Sequence, residues 1–176
     1  MNTPAPAPVP ADDRDWTAVI TDGCAECGFR PFDPAQVADR IREGTRRWLP
    51  VLQRPDVAVR PVPEVWSPLE YACHVRDMVR LLGERVKSMR DQQDPVLADW
   101  DGNAKAVQLA YWAADPGTTW EDLERSTRRT VAILDSVPAQ DRGRPGRRSD
   151  GTAFTIDSLG QYIGHEMEHH LHDVRG

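Results

Sequence analysis

The sequence predicts an all-α protein, a four-helix bundle with a short irregular N-terminal extension. Three observations lead there. Apolar residues recur at helical spacing in four long stretches. Two of those stretches open on a capping residue followed by proline. No stretch alternates convincingly as a strand would, and bundles are the usual home for four such helices.

In chain order, residues 1 to 15 are rich in Pro, Ala and Asp and are expected to be disordered or extended. Residues 16 to 32 form an extension around Asp22-Gly23-Cys24-Ala25-Glu26-Cys27-Gly28-Phe29, where the two glycines imply a tight loop about a C-x-x-C. The bundle should occupy residues 33 to 176. Its first helix starts with Asp33 as N-cap, Pro34 in the first position and Gln36 closing a capping box. Val37, Ile41, Trp48 and Leu49 carry it to about Leu49 or slightly beyond, and Pro55, Pro61 and Pro63 rule out continuous helix up to Val65.

The second helix repeats this opening. Ser67 caps, Pro68 follows and Glu70 closes the box, with Trp66 and Tyr71 as hydrophobic staple. Tyr71, His74, Met78, Leu81 and Arg85 fall on one face, apart from Arg76, Asp77 and Arg80, and the helix should reach about Arg90. Asp94-Pro95 and Asp115-Pro116-Gly117 read as breakers around a short helix from Ala104 to Ala113. Thr118 or Thr119 then caps a third long helix that ends before Pro138. A Gly/Arg/Pro loop with a Ser149-Asp150-Gly151 turn leads to the last helix, opened by Thr155 or Asp157.

Composition narrows the function classes. The chain has 176 residues, of which 39% are hydrophobic and 28% charged, a globular balance. A formal net charge of -6 argues against nucleic acid as an electrostatic partner. Apolar runs fall short of a bilayer span and the N-terminus lacks the pattern of a signal peptide, so a cytoplasmic location without membrane association is expected. Three cysteines do not make a disulfide framework. Cys73 reads as a small buried hydrophobe.

Four of the five histidines lie in His165-Glu166-Met167-Glu168-His169-His170-Leu171-His172. A helical wheel places Leu159, Ile163, Met167, His170 and Val174 on one stripe, with Glu166 on its border. His165, His169 and His172 fall on the other side. Two i, i+4 ligand pairs are therefore on offer, Glu166/His170 and His165/His169. Geometry favours the first, because a bundle site must point inward to meet His74. Two imidazoles and a carboxylate leave open positions on one divalent ion, as catalytic sites do.

At these residues the chain resembles the DinB/YfiT-like superfamily, which includes mycothiol-dependent maleylpyruvate isomerases. The matching features are Trp66-Ser67-Pro68-x-Glu70-x-x-x-His74-x-x-Asp77 and Glu166-x-x-x-His170-x-x-Asp173. The resemblance implies a four-helix bundle holding one divalent metal, zinc or nickel, on His74, Glu166 and His170. It also implies a thiol S-transferase or isomerase in which the metal activates a mycothiol-type cofactor toward an electrophilic substrate. Arginine far exceeds lysine, which is compatible with a GC-rich genome, where mycothiol users occur.

Two other functions remain open. One is a hydrolase using metal-bound water, with Glu168 or Asp173 as base. The other is a binding or stress-response module in which the metal is a structural clip. A homodimer is a further open expectation. Arg147 or Arg148 is placed to contact an acidic group of cofactor or substrate. The C-x-x-C lies outside the shared motifs. With the outward His165/His169 pair it would make a Cys₂His₂ zinc site, if the extension reaches the last helix.

Overall fold

The computed structural model describes residues 5–10 and 14–176. The tail expected at residues 1 to 15 thus lies partly outside the described residues. Its described parts, residues 5–10 and 14–15, have no helix or strand, and Val9 packs against the main core.

The extension begins with Asp15, whose carboxylate accepts the Thr17 N–H at 2.9 Å and caps a 3₁₀ turn over Trp16–Ala18. A one-turn helix, α1 (Val19–Asp22), follows. Gly23 ends it at φ 80° and Gly28 sits at φ 77°, a region that non-glycine residues enter only at a cost. Between them Cys24 N–H donates to Phe29 O and Gly28 N–H to Cys24 O, each at 3.0 Å. This is the tight C-x-x-C loop that the glycines imply.

Four long helices form the body: α2 (Val37–Leu52), α3 (Pro68–Asp91), α5 (Pro116–Asp135) and α6 (Ile156–Asp173), with the short α4 (Gly102–Gln108) between α3 and α5. Asp33 caps a 3₁₀ turn that leads into α2, accepting from Ala35 N–H. Ser67 and Glu70 make the expected reciprocal box at the start of α3, and the Trp66 and Tyr71 rings meet at 5.5 Å. Glu70 is buried and also receives Arg60 Nε at 2.9 Å. The apolar stripes of all four helices close on one core, in which Ile41, Trp48, Leu82, Leu123, Leu159 and Leu171 are fully buried. Small residues let helix axes approach. A Cβ on Gly44 would stand 2.3 Å from Met167 Cγ, and one on Gly83 would stand 2.6 Å from Thr130 Oγ1.

Four expectations are corrected. The third long helix is capped by Asp115, which accepts from Thr118 N–H, with Pro116 in the first helical position; Asp-Pro stops one segment and starts the next. The short helix is α4 with a separate 3₁₀ turn over Tyr111–Ala113, because Ala110 turns into the left-handed region at φ 48°. Asp77 is buried, bonded to Tyr111 and to Arg76. A small sheet is also present: β1 (Val96–Leu97) runs parallel to β2 (Pro145–Arg148), and β2 antiparallel to β3 (Ala153–Thr155), with Gly146 opposite Phe154. The expected Ser149-Asp150-Gly151 turn is its hairpin. Thr155 then caps α6 in a reciprocal box with Ser158. Among the described residues no helix is long and apolar enough to cross a membrane.

Candidate metal centre

Helix α6 meets three different surroundings. Its apolar stripe faces the core, a second face turns to a cavity, and a third lies under the extension. A cavity of about 740 Å³ opens between α3, α6 and the segment around Trp100. Tyr71, His74, Met78, Leu81 and Arg85, the face identified on α3, all line it.

His74, Glu166 and His170 come together at this cavity, each offering a ligand atom within 4.8 Å of the others. Glu166 Oε2 is the meeting point, 3.6 Å from His74 Nε2 and 3.5 Å from His170 Nε2. His170 is half-buried and faces the cavity rather than the core stripe to which its wheel angle assigns it. Asp173 accepts from His170 Nδ1 at 3.0 Å, which leaves Nε2 for the shared point. The rings of Trp66 and Trp100 pack on His74 at 5.2 and 5.1 Å. A Cβ on Gly102 would come within 3.0 Å of His74 Nδ1, so the start of α4 closes tightly over that ring.

The electrostatics suit a cation. Burial pushes the Glu166 carboxyl up, but the rings of His165, His170 and His74 outweigh it and hold the group well below the ordinary range. Burial pulls His74 down. Burial also opposes charge on His170, yet Asp173 and Glu166 raise it to about 9. A proton and a metal ion therefore compete for His170. Neither buried ring nitrogen of His74 has a hydrogen-bond partner among the described residues. Such groups are costly unless something else binds them. The donor set of two imidazoles and a carboxylate fits a divalent transition metal.

The outward histidines divide between the surface and the C-x-x-C loop, two of the placements open to them. His172 is exposed, but His165 and His169 are 1% and 8% exposed. The extension covers them, with the Trp16 ring 5.4 Å from His165 and 4.8 Å from His169. Cys24, Cys27, His165 and His169 form a second group whose ligand atoms lie within 4.8 Å of one another. The alternative pairs read from the sequence thus belong to two separate clusters on one helix.

Of the two arginines expected near the site, Arg148 lines the cavity and Arg147 turns away to pair with Asp94. Glu168 pairs with Arg40 at 2.8 Å and is not among the cavity-lining residues, so it is withdrawn as a base. Arg85, Trp100 and Tyr162 line the cavity too and were not foreseen as site residues. Arg85 alone carried a signal, its place on the His74 face. Arg85 is buried, and its Nε has no hydrogen-bond partner among the described residues.

A helical bundle with His, Glu and His converging at an open cavity defines a class of metal-site bundle. The family model described as DinB superfamily matches residues 38–174, and the chain belongs to that superfamily. The solved structure of YfiT from Bacillus subtilis, described as a probable metal-dependent hydrolase with an unusual four-helix bundle topology, is similar to it. The TM-score is 0.67 at 20% identity, covering 79% of this chain and 81% of that one. This likeness establishes the shared fold. No curated protein matches the chain.

Proposed function

We propose that the chain is a metal-dependent enzyme that uses a small-molecule thiol of the mycothiol type to attack an electrophilic substrate, as a thiol S-transferase or isomerase. One observation carries this reading: the three candidate ligands, His74, Glu166 and His170, stand at the edge of an open cavity instead of being sealed in the core. A metal kept only as a structural clip would have no use for that opening.

The donor set suits zinc or nickel. When bound, the ion supplies Lewis acidity that lowers the pKa of a thiol reaching it from the cavity. The protein's own residues do the rest. Asp173 fixes the His170 ring, and Trp66 and Trp100 fix His74. Tyr71, Trp100 and Tyr162 supply aromatic wall to the cavity beside the centre. Arg85 and Arg148 present positive charge to the same cavity, suited to an acidic group of the cofactor or substrate. The thiol supplies the nucleophile itself, so no separate base is required.

A hydrolase is the second reading, favoured by the description of YfiT and by Asp173 at the cavity wall. The two separate in one assay. The metal-loaded protein should accelerate the reaction of mycothiol with an electrophile, and His74→Ala, still folded by circular dichroism, should lose at least about 100-fold. Full activity in His74→Ala would overturn the metal mechanism. Turnover of an ester substrate with no thiol present would select the hydrolase.

A further inference from the structure

We propose that Cys24, Cys27, His165 and His169 bind a structural zinc ion that fastens the N-terminal extension to α6. This site is separate from the candidate centre on His74, Glu166 and His170 and stands whether or not that centre is catalytic.

The four ligand atoms lie within 4.8 Å of one another, and three of the four residues are buried. Two thiols and two imidazoles are the donor set of closed tetrahedral zinc sites. His165 is 1% exposed, yet neither ring nitrogen has a hydrogen-bond partner among the described residues. A buried imidazole so placed is costly unless a metal or another partner binds it. His169 turns Nδ1 to Cys24 Sγ at 3.7 Å and Nε2 to Asp173 Oδ1 at 3.7 Å. That is the arrangement of a ligating histidine, one nitrogen to the metal and the other to a carboxylate.

Backbone N–H groups of the C-x-x-C loop converge on its sulfurs. The N–H groups of Cys27 and Glu26 point to the Cys24 sulfur, and that of Phe29 points to Cys27. Converging backbone N–H groups make an anion-binding concavity. Both thiols would give their protons to solvent as zinc binds. Cys73 takes no part, lying in the core beside Thr119.

The extension also needs such a fastening. Among the described residues its own core has three buried hydrophobics, Val19, Cys24 and Phe29, with Trp16, Ile20, Cys27 and Phe32 partly buried on them, and a cluster that small rarely holds a segment unaided. Because His165 and His169 alternate with Glu166 and His170 on α6, the zinc would also set that helix's rotation beneath the candidate centre.

The test is metal content of the full chain, prepared reduced, loaded with zinc and freed of excess. Two equivalents per chain are expected, of which a mercurial thiol reagent releases one. Loaded with cobalt(II), the wild type should show a sulfur-to-cobalt charge-transfer band. C24S/C27S should lose that band and one equivalent of zinc. H74A/H170A should keep the band and lose the other equivalent, so failure at one site is distinguishable from failure at the other. Cobalt protein without the band, or zinc that the mercurial does not release, would overturn the proposal. Both readings use the wild type and stand even if the cysteine variant fails to fold.

Discussion

His170 directs its Nδ1 to the Asp173 carboxylate, 3.0 Å away, and its Nε2 toward Glu166. Asp173 thereby selects which nitrogen is offered to the cavity. Carboxylates that orient a ligating histidine are typically worth 10–100-fold in metal affinity. Asp173→Asn should leave the fold intact and weaken metal binding at this centre by roughly 10–100-fold, read by competition with a chelator in a C24S/C27S background. Unchanged affinity would mean that the ring is held by packing alone.

A second prediction concerns the start of α3, which carries His74. Glu70 accepts from Ser67 N–H and Ser67 Oγ, both at 2.9 Å, and from Arg60. Burial pushes its carboxyl up, but Arg60 and Ser67 outweigh it and the net shift is downward. A depressed folded pKa gives stability that is fully present above the unfolded value of about 4.3 and is lost as pH falls through the folded value. Glu70→Gln leaves the half-buried Arg60 guanidinium without its charge partner and should destabilise by roughly 1–3 kcal/mol at pH 7. The difference from wild type should shrink below about pH 4. Urea melts at several pH values would show it, and a constant difference down to low pH would contradict it.

The approach of α2 to α6 depends on Gly44. An added Cβ would meet Met167 Cγ at 2.3 Å and Sδ at 3.0 Å, and Met167 is buried. Overpacking costs about 1–3 kcal/mol, whereas alanine's helix propensity returns about 1 kcal/mol. Gly44→Ala should therefore lower stability by about 1 kcal/mol. A higher urea midpoint would show that the two helices have room to spare.

Much of the bundle could be read from local chemistry. Ser67-Pro68-x-Glu70 marks a helix start because cap, proline and box act within one turn, and the structure reproduces it. His74, Glu166 and His170 meet because periodicity puts them on facing surfaces. The wheel tells which side a residue faces but not what covers that side when a partner comes from elsewhere in the chain. His165 and His169 look solvent-facing on a bundle helix, but the extension lies over them. Asp77 looks exposed until Tyr111 arrives from a distant segment. The strands of the small sheet are too short for alternation to register, and Pro145-Gly146-Arg147 reads as loop. Asp115-Pro116 carries the same residues whether it ends a segment or begins one, and only the bond from Thr118 N–H decides.

The most direct test of the account is a crystal of the metal-loaded protein measured at the metal's absorption edge. The account predicts an anomalous peak among His74 Nε2, Glu166 and His170 Nε2, at the cavity. Metal found only at His165 and His169, with none at that point in fully loaded protein, would contradict it.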